Sequence, residues 1–244
     1  APQPDQRAAA AKQFQDGNWN DAYQAYRGLS LDDDNAGKPL AEDFTKAVQC
    51  LNNLQRQHEI DAFRDEVVER HADDWRLLVA AAASYQNGPN YGFLVGGEFR
   101  RGDQRGGGQY VQSQERDRVQ ALRLLDQARK LLPDADVTAK ERAEFFDTHA
   151  SFVLWLRGGH EAWRLQDLTD LSVLPDYEEA NRFFGWRGGS TDKGAPVDEE
   201  GNPVYHTLPE TWDEAASDGQ RWRWCLEQVA VHNPDRRDEV DYRF

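Results

Sequence analysis

The chain has 244 residues, of which 39% are hydrophobic and 11% aromatic, and its 44 acidic and 29 basic side chains give a formal net charge of −15. This composition is typical of a globular protein and excludes a disordered acidic tail. So negative a charge argues against general binding of nucleic acid or anionic lipid. No apolar run approaches the roughly 20 residues of a membrane-spanning helix. We therefore expect neither a nucleic-acid partner nor membrane insertion.

Small and large apolar residues recur with helical spacing through the first half of the chain. The pattern predicts three helix pairs, at residues 8–31, at residues 41–71, and at residues 75–86 with 114–132. The small-large alternation within the pairs is similar to that of tetratricopeptide (TPR) repeats. The predicted fold is all-α: a TPR-like α-solenoid of antiparallel helix pairs, with a long Gly/Arg-rich loop and one short β-hairpin insertion.

The second half is less regular and ends in strong helical signals. A helix begins at the capping box formed by Thr138 and Glu141, and the stretch DGQRWRWCLEQVAVHN predicts the last strong helix, which Pro234 ends. Between them, Gly- and Pro-rich residues predict a β-hairpin at about 195–206. We predict two domains: residues 1–158 with the loop 88–113 inserted among the repeats, and residues 159–244 with the hairpin and closing helices on the same solenoid.

The inserted loop is the most unusual segment. Residues 98–130 contain eight basic and five acidic side chains, so this part of an acidic chain is locally positive. One interpretation is a site for an anion or an acidic partner. The other is a structural loop whose arginines pair with the acidic body, and both stay open. An exposed tryptophan on the last strong helix is a candidate partner anchor, and the favoured alternative is that it packs against the predicted hairpin. The candidate binding residues are Arg100, Arg101, Arg105, Tyr110 and Trp222.

Sequence patterns of catalysis are absent. The chain has no phosphate-binding loop, no His-Glu-x-x-His and no Gly-x-Ser-x-Gly, and its histidines lack metal-ligand spacing. We expect no enzymatic activity, no cofactor and no metal site. Cys50 and Cys225 are both predicted to be buried on helices.

Four stretches in this order carry a resemblance to a known family: NYGFLVGGEFRRGDQRGGGQYV, ERDRVQALRLL, GAPVDEEGNPVYH and DGQRWRWCLEQV. The chain resembles the N-terminal helical region of large bacterial alpha-2-macroglobulin-family proteins, also called large extracellular α-helical proteins. The resemblance implies export to the periplasm or cell surface and an accessory role in a protease-trapping protein. Cys225 and Gln228 share the letters of that family's thioester, but Trp224 replaces the usual preceding glycine, so a buried helix is expected instead.

Three hypotheses about function follow. The first is a non-enzymatic scaffold module that binds the downstream domains of its own polypeptide or a cell-envelope protein. The second is a free-standing TPR-like adaptor that binds a peptide or envelope ligand in its concave face. The third is an enzyme or metal-binding protein that uses Asp, Glu and His residues between positions 160 and 210.

Overall fold

Helices account for most of the chain, and a small antiparallel sheet interrupts their series. The structure is a computed structural model that describes residues 4–179, 199–202 and 205–243. Over these residues the α-helices are α1 (Pro4–Gln15), α2 (Trp19–Ser30), α3 (Gly37–Asn53), α4 (Ile60–Arg70), α5 (Trp75–Gln86), α6 (Gln114–Leu131), α7 (Ala139–Leu154), α8 (Asp218–His232) and α9 (Arg237–Arg243). The strands are β1 (Tyr91–Val95), β2 (Glu98–Arg101), β3 (Gln109–Gln112) and β4 (Glu178–Glu179). In this part of the chain, no helix has both the length and the apolar character needed to cross a bilayer.

The chain divides into two compact units between Pro133 and Asp134. The first unit holds α1 to α6 and the sheet, because the described residues 176–179, which include β4, belong to it. The second holds α7, α8 and α9. The predicted domain boundary after residue 158 stays a prediction.

The core of the first unit is built from apolar helix faces that recur every three or four residues. In α2 these are Ala22, Tyr26 and Leu29, and in α3 they include Phe44 and Leu51, all at most 5% exposed. Successive packing joins α1 to α2, α2 to α3, α3 to α5 and α5 to α6. The mostly helical class predicted from the sequence is therefore confirmed.

The prediction of a loop at residues 88–113 is wrong, and with it the all-α class. The segment predicted as the loop 88–113 forms three strands, and the full sheet has the antiparallel order β2-β1-β3-β4. Gly96 and Gly97 explain this outcome, since both adopt positive φ (61° and 88°) in the two-residue turn between β1 and β2. Two glycines between apolar strand-forming runs are a strong hairpin signal. The segment's many glycines and arginines are also typical of loops, so its composition alone does not reveal the strands.

The second unit is organised around the packing of α7 on α8. The predicted capping box of Thr138 and Glu141 is present at the start of α7. The Ser217 hydroxyl caps α8 by accepting a hydrogen bond from the backbone N–H of Gln220 at 3.2 Å. Asp147 of α7 receives bonds from Arg236 at 2.8 Å and from Arg243 at 2.6 Å, and these tie the α9 region to α7. Residues 195–198, 203 and 204 of the predicted β-hairpin lie outside the described residues.

Candidate functional site

Four of the five residues predicted as a binding site lie on the sheet of the first unit or in the loop between its strands, and the fifth lies in the second unit. Phe93 of β1 lies opposite Arg100 of β2 on one side and Tyr110 of β3 on the other. Because paired residues in adjacent strands share a face, these three side chains form one row across the sheet. The Tyr110 ring lies 5.6 Å from Phe93 and 5.8 Å from Tyr91, between ring centroids. The structure therefore groups two of the predicted residues, Arg100 and Tyr110, on one face.

Adjacent arginines of β2 serve different purposes, because successive strand residues point to opposite faces. Arg100 is exposed, whereas Arg101 is 5% exposed. The Arg101 guanidinium donates to both carboxylate oxygens of Asp61, at 2.9 and 3.0 Å, through Nε. Its Nη1 and Nη2 donate to Asp117 at 2.7 and 2.8 Å, and Nη1 also donates to the Pro89 carbonyl at 2.7 Å. Arg101 thus joins β2 to α4 and α6.

The charges in this cluster stabilise one another. Burial disfavours the charged guanidinium of Arg101, but the hydrogen bonds and charges of Asp117 and Asp61 outweigh burial and raise its pKa. Burial likewise opposes ionisation of Asp61, but Arg101 and Arg64 outweigh it and lower the pKa of that carboxyl. Both pKa shifts favour the charged forms of Arg101 and Asp61, which therefore form an ion pair at neutral pH.

Further polar side chains complete this cluster. Ser113 donates to Asp117 at 2.7 Å, and Asn90 donates to Asp117 at 2.9 Å. Arg64 donates to Asp61 at 2.7 Å and lies 3.6 Å above the Tyr85 ring. The sheet is consequently held against the helices by charge-assisted bonds, and the Arg101–Asp117 pair among them has little access to water.

A solvent-open groove of about 700 Å³ lies where the end of β2 meets the turn after α3. We call it the sheet groove. Its walls include Leu54, Gln55, His58, Tyr91, Arg100 and Arg105. Gly102 lies on the wall with φ of 80°, and a Cβ there would come 3.1 Å from the Cβ of Gln57. The backbone therefore passes close to the short 3₁₀ turn Gln57–Glu59 at this glycine.

The two arginines of the sheet groove, Arg100 and Arg105, are exposed. Within the described residues, neither guanidinium group forms an ion pair or a hydrogen bond. Asp103, the carboxylate on the groove wall, lies 3.5 Å from the Tyr91 hydroxyl. Two arginines and one aspartate leave the groove positive in a chain whose net charge is −15.

Trp222 lies in the second unit on α8, and its side chain is half-buried. Its indole Nε1 is shielded from water, and no hydrogen-bond partner for it occurs in the part of the chain that the structure describes. The roles of Trp222 and of the other predicted binding residues stay predictions.

Sequence reasoning missed several residues of the site. Gln55, His58 and Tyr91 line the groove, and Asp61 and Asp117 hold Arg101. A two-residue glycine turn could have identified the hairpin and hence the alternation of Arg100 and Arg101. No local signal links residues 54–58 to residues 100–105, because these segments meet only in the tertiary fold.

A second cavity of about 440 Å³ lies among α1, α3 and α5. Lys46, Gln49 and Ala80 are among its lining residues, together with Arg7, which is already paired with Asp43 at 2.9 Å. No group of three or more His, Cys, Asp or Glu side chains that could hold a metal ion occurs among residues 4–179, 199–202 and 205–243.

Comparison with known proteins adds no relative. The chain matches no protein family, no curated protein and no solved structure. The site is therefore interpreted from its own geometry.

Proposed function

We propose that this chain is a non-enzymatic protein-interaction module whose partner docks at the sheet groove. The observation that carries the proposal is the pair of exposed, unpaired arginines on the rim of a 700 Å³ groove. One of them lies on β2 next to the buried anchor Arg101, and the other lies in the loop that follows β2. Arginine is enriched at the energetic centres of protein interfaces. A rim that is ordered before binding loses little conformational entropy when a partner docks.

The helical part of this proposal is a TPR-like solenoid. The order of helix pairs agrees with it, and so do contacts between the second helices of adjacent pairs. Arg27 of α2 donates to Glu66 of α4 at 2.6 Å, and the rings of Tyr23 and Phe63 lie 5.9 Å apart. Stacked pairs of this kind provide a rigid support for a docking site.

The wider role that we propose is that of a scaffold module within an exported macroglobulin-like protein. This part of the proposal rests on the sequence resemblance alone. Its partner would be the downstream domains of the same polypeptide or a separate cell-envelope protein.

The alternative function is a TPR-like adaptor that binds its ligand against α1, α3 and α5. The 440 Å³ cavity between these helices favours it. The first helices of the repeats would line the concave face of a solenoid, and Ala11, Ala41 and Ala80 leave room for a ligand there.

Site-specific photocrosslinking separates these functions. A photoreactive amino acid would replace Gln55 in the sheet groove, Gln49 in the α1/α3/α5 cavity, or the exposed Lys38 at the start of α3 as a matched control. Each protein would be irradiated in an extract of the cells that produce it. The proposal expects a crosslinked polypeptide at position 55 and none at 38. Crosslinking at position 49 alone would favour the adaptor, and crosslinking at neither cavity would refute both.

A further inference from the structure

The rim of the sheet groove indicates the chemistry of its occupant. Building on the proposed function, we propose that the sheet groove binds an acidic peptide segment that carries at least two carboxylates beside an apolar side chain. The partner protein supplies this segment. The proposal concerns the same site but commits to the kind of sequence that fills it.

The first argument is the contrast between the arginines on the rim and those around it. Arg56 forms two 2.6 Å bonds with Glu59, Arg64 pairs with Asp61, and Arg101 pairs with Asp117. Arg100 and Arg105 have no such partners within the described residues, although carboxylates outnumber basic side chains in the chain. Two planar guanidinium groups on one rim match two carboxylates, which they bind through paired hydrogen bonds.

The second argument is the apolar part of the groove. Leu54, Pro89 and the ring of Tyr91 line it beside the arginines. An apolar side chain adjacent to the carboxylates would be buried there, and burial of such a group stabilises the complex. A long polyanion such as a nucleic acid fits less well, because it lacks this apolar group and is repelled by the net charge of −15.

The third argument is that the rim is already ordered. Arg101 anchors the residue next to Arg100, and the Gly102 amide donates to the Tyr91 carbonyl at 2.8 Å. Gln104 donates to the Gly107 carbonyl at 2.8 Å, which ties together the loop that carries Arg105. The strand and loop therefore need little rearrangement before a peptide binds.

A selection from a random peptide library displayed on phage tests the chemistry without assuming a sequence. The whole chain would be the bait, and the probes would be the enriched peptides, synthesised with a fluorescent label. We expect enriched sequences with at least two Asp or Glu residues next to an apolar residue. Replacing those acids by Asn or Gln should reduce affinity at least tenfold, and binding should weaken from about 50 to 500 mM salt.

The matched variants carry the same change in net charge. Arg100→Ala with Arg105→Ala removes two positive charges from the groove, while Lys12→Ala with Lys38→Ala removes two from exposed positions outside it. The arginine variant should lose at least tenfold affinity for the acidic peptides, and the lysine variant should stay within twofold of wild type. The melting temperatures of both variants should match wild type, because the four side chains are exposed.

The outcomes separate this inference from the proposed function. If the enriched peptides lack acids but crosslink to position 55, the groove is a docking site with a different occupant, so the inference fails and the proposed function stands. If acidic peptides bind both double variants equally, the inference is also overturned. If no peptide is enriched, or none crosslinks at position 55, the inference fails, and crosslinking at position 55 in the cell extract decides separately whether the proposed function stands.

Discussion

Arg101 and Asp117 are joined by two parallel hydrogen bonds, from Nη1 to Oδ2 at 2.7 Å and from Nη2 to Oδ1 at 2.8 Å. Their side chains are only 4% and 3% exposed. Such a bidentate pair fixes both the position and the orientation of the strand that carries the arginine. The geometry of the sheet groove therefore depends on this pair.

Replacing Arg101 by Met should destabilise the protein by about 3–5 kcal/mol, because it leaves Asp117 buried without its cationic partner. The neighbouring substitution Arg100→Met should change stability by less than about 0.5 kcal/mol, since that side chain is exposed and unpaired. Urea denaturation of the two variants measures the difference. Equal stabilities would contradict the assignment of Arg101 as the anchor.

Replacing Gly92 by Ala should disrupt the sheet. A Cβ at this position would lie 2.2 Å from the Arg100 carbonyl oxygen and 2.7 Å from the Phe99 ring, and overpacking of this kind costs about 1–3 kcal/mol. Gly107→Ala is the control, because an added Cβ there meets nothing within 4 Å. The free energy of unfolding should fall for the first variant only. A normal stability for Gly92→Ala would show that the hairpin is not packed as described.

The stability of the first unit should depend on the ionisation of Asp61. Arg101 and Arg64 outweigh burial and hold the pKa of this carboxyl below its ordinary value of about 3.9. A lowered pKa in the folded state contributes stability above the unfolded value, and that stability is lost as pH falls through the folded value. Unfolding free energy should therefore decline below about pH 4, and the decline should be smaller in Asp61→Asn. Urea denaturation of both proteins at several pH values measures this decline. The same dependence of unfolding free energy on pH in wild type and in Asp61→Asn would contradict the prediction.

Cys50 should be unreactive in the folded protein. It is fully buried on α3, and burial raises the pKa of its thiol to about 11, so very little thiolate exists at pH 8. Labelling with iodoacetamide, followed by mass spectrometry of the Cys50 peptide, should show modification in urea but not in buffer. Labelling at equal rates in both conditions would place this residue at the surface.

Two tryptophans of the second unit should differ in their contribution to stability. Trp212 is 2% exposed and its ring centroid lies 4.3 Å from that of His149, so Trp212→Ala should cost about 3–5 kcal/mol. Trp222 is only half-buried, and Trp222→Ala should cost less than half of that amount. Thermal unfolding of the two variants provides the comparison. A larger loss for Trp222 would identify it as a core residue and remove it as a candidate partner anchor.

Helix positions were largely predictable, because the interactions that define them are local. The predicted stretch DGQRWRWCLEQVAVHN begins where α8 begins and extends one residue beyond its end at His232, and Cys225 is buried within the helix, as predicted. The capping box of Thr138 and Glu141 was equally predictable, since it lies within four consecutive residues. The sheet was not predicted, because glycines such as Gly96 and Gly97 occur both in loops and in hairpin turns, and composition alone does not distinguish the two.

The sequence by itself determined the helical periodicity, the acidic charge and the concentration of arginine between residues 98 and 130. Only the tertiary structure decided which arginine is buried and which is available for binding. The carboxylates that hold Arg101 lie 40 and 16 positions away, at Asp61 and Asp117, among the 44 acidic side chains of the chain. Local propensity contains no information about such distant pairings, because they form only when α4, α6 and β2 pack together.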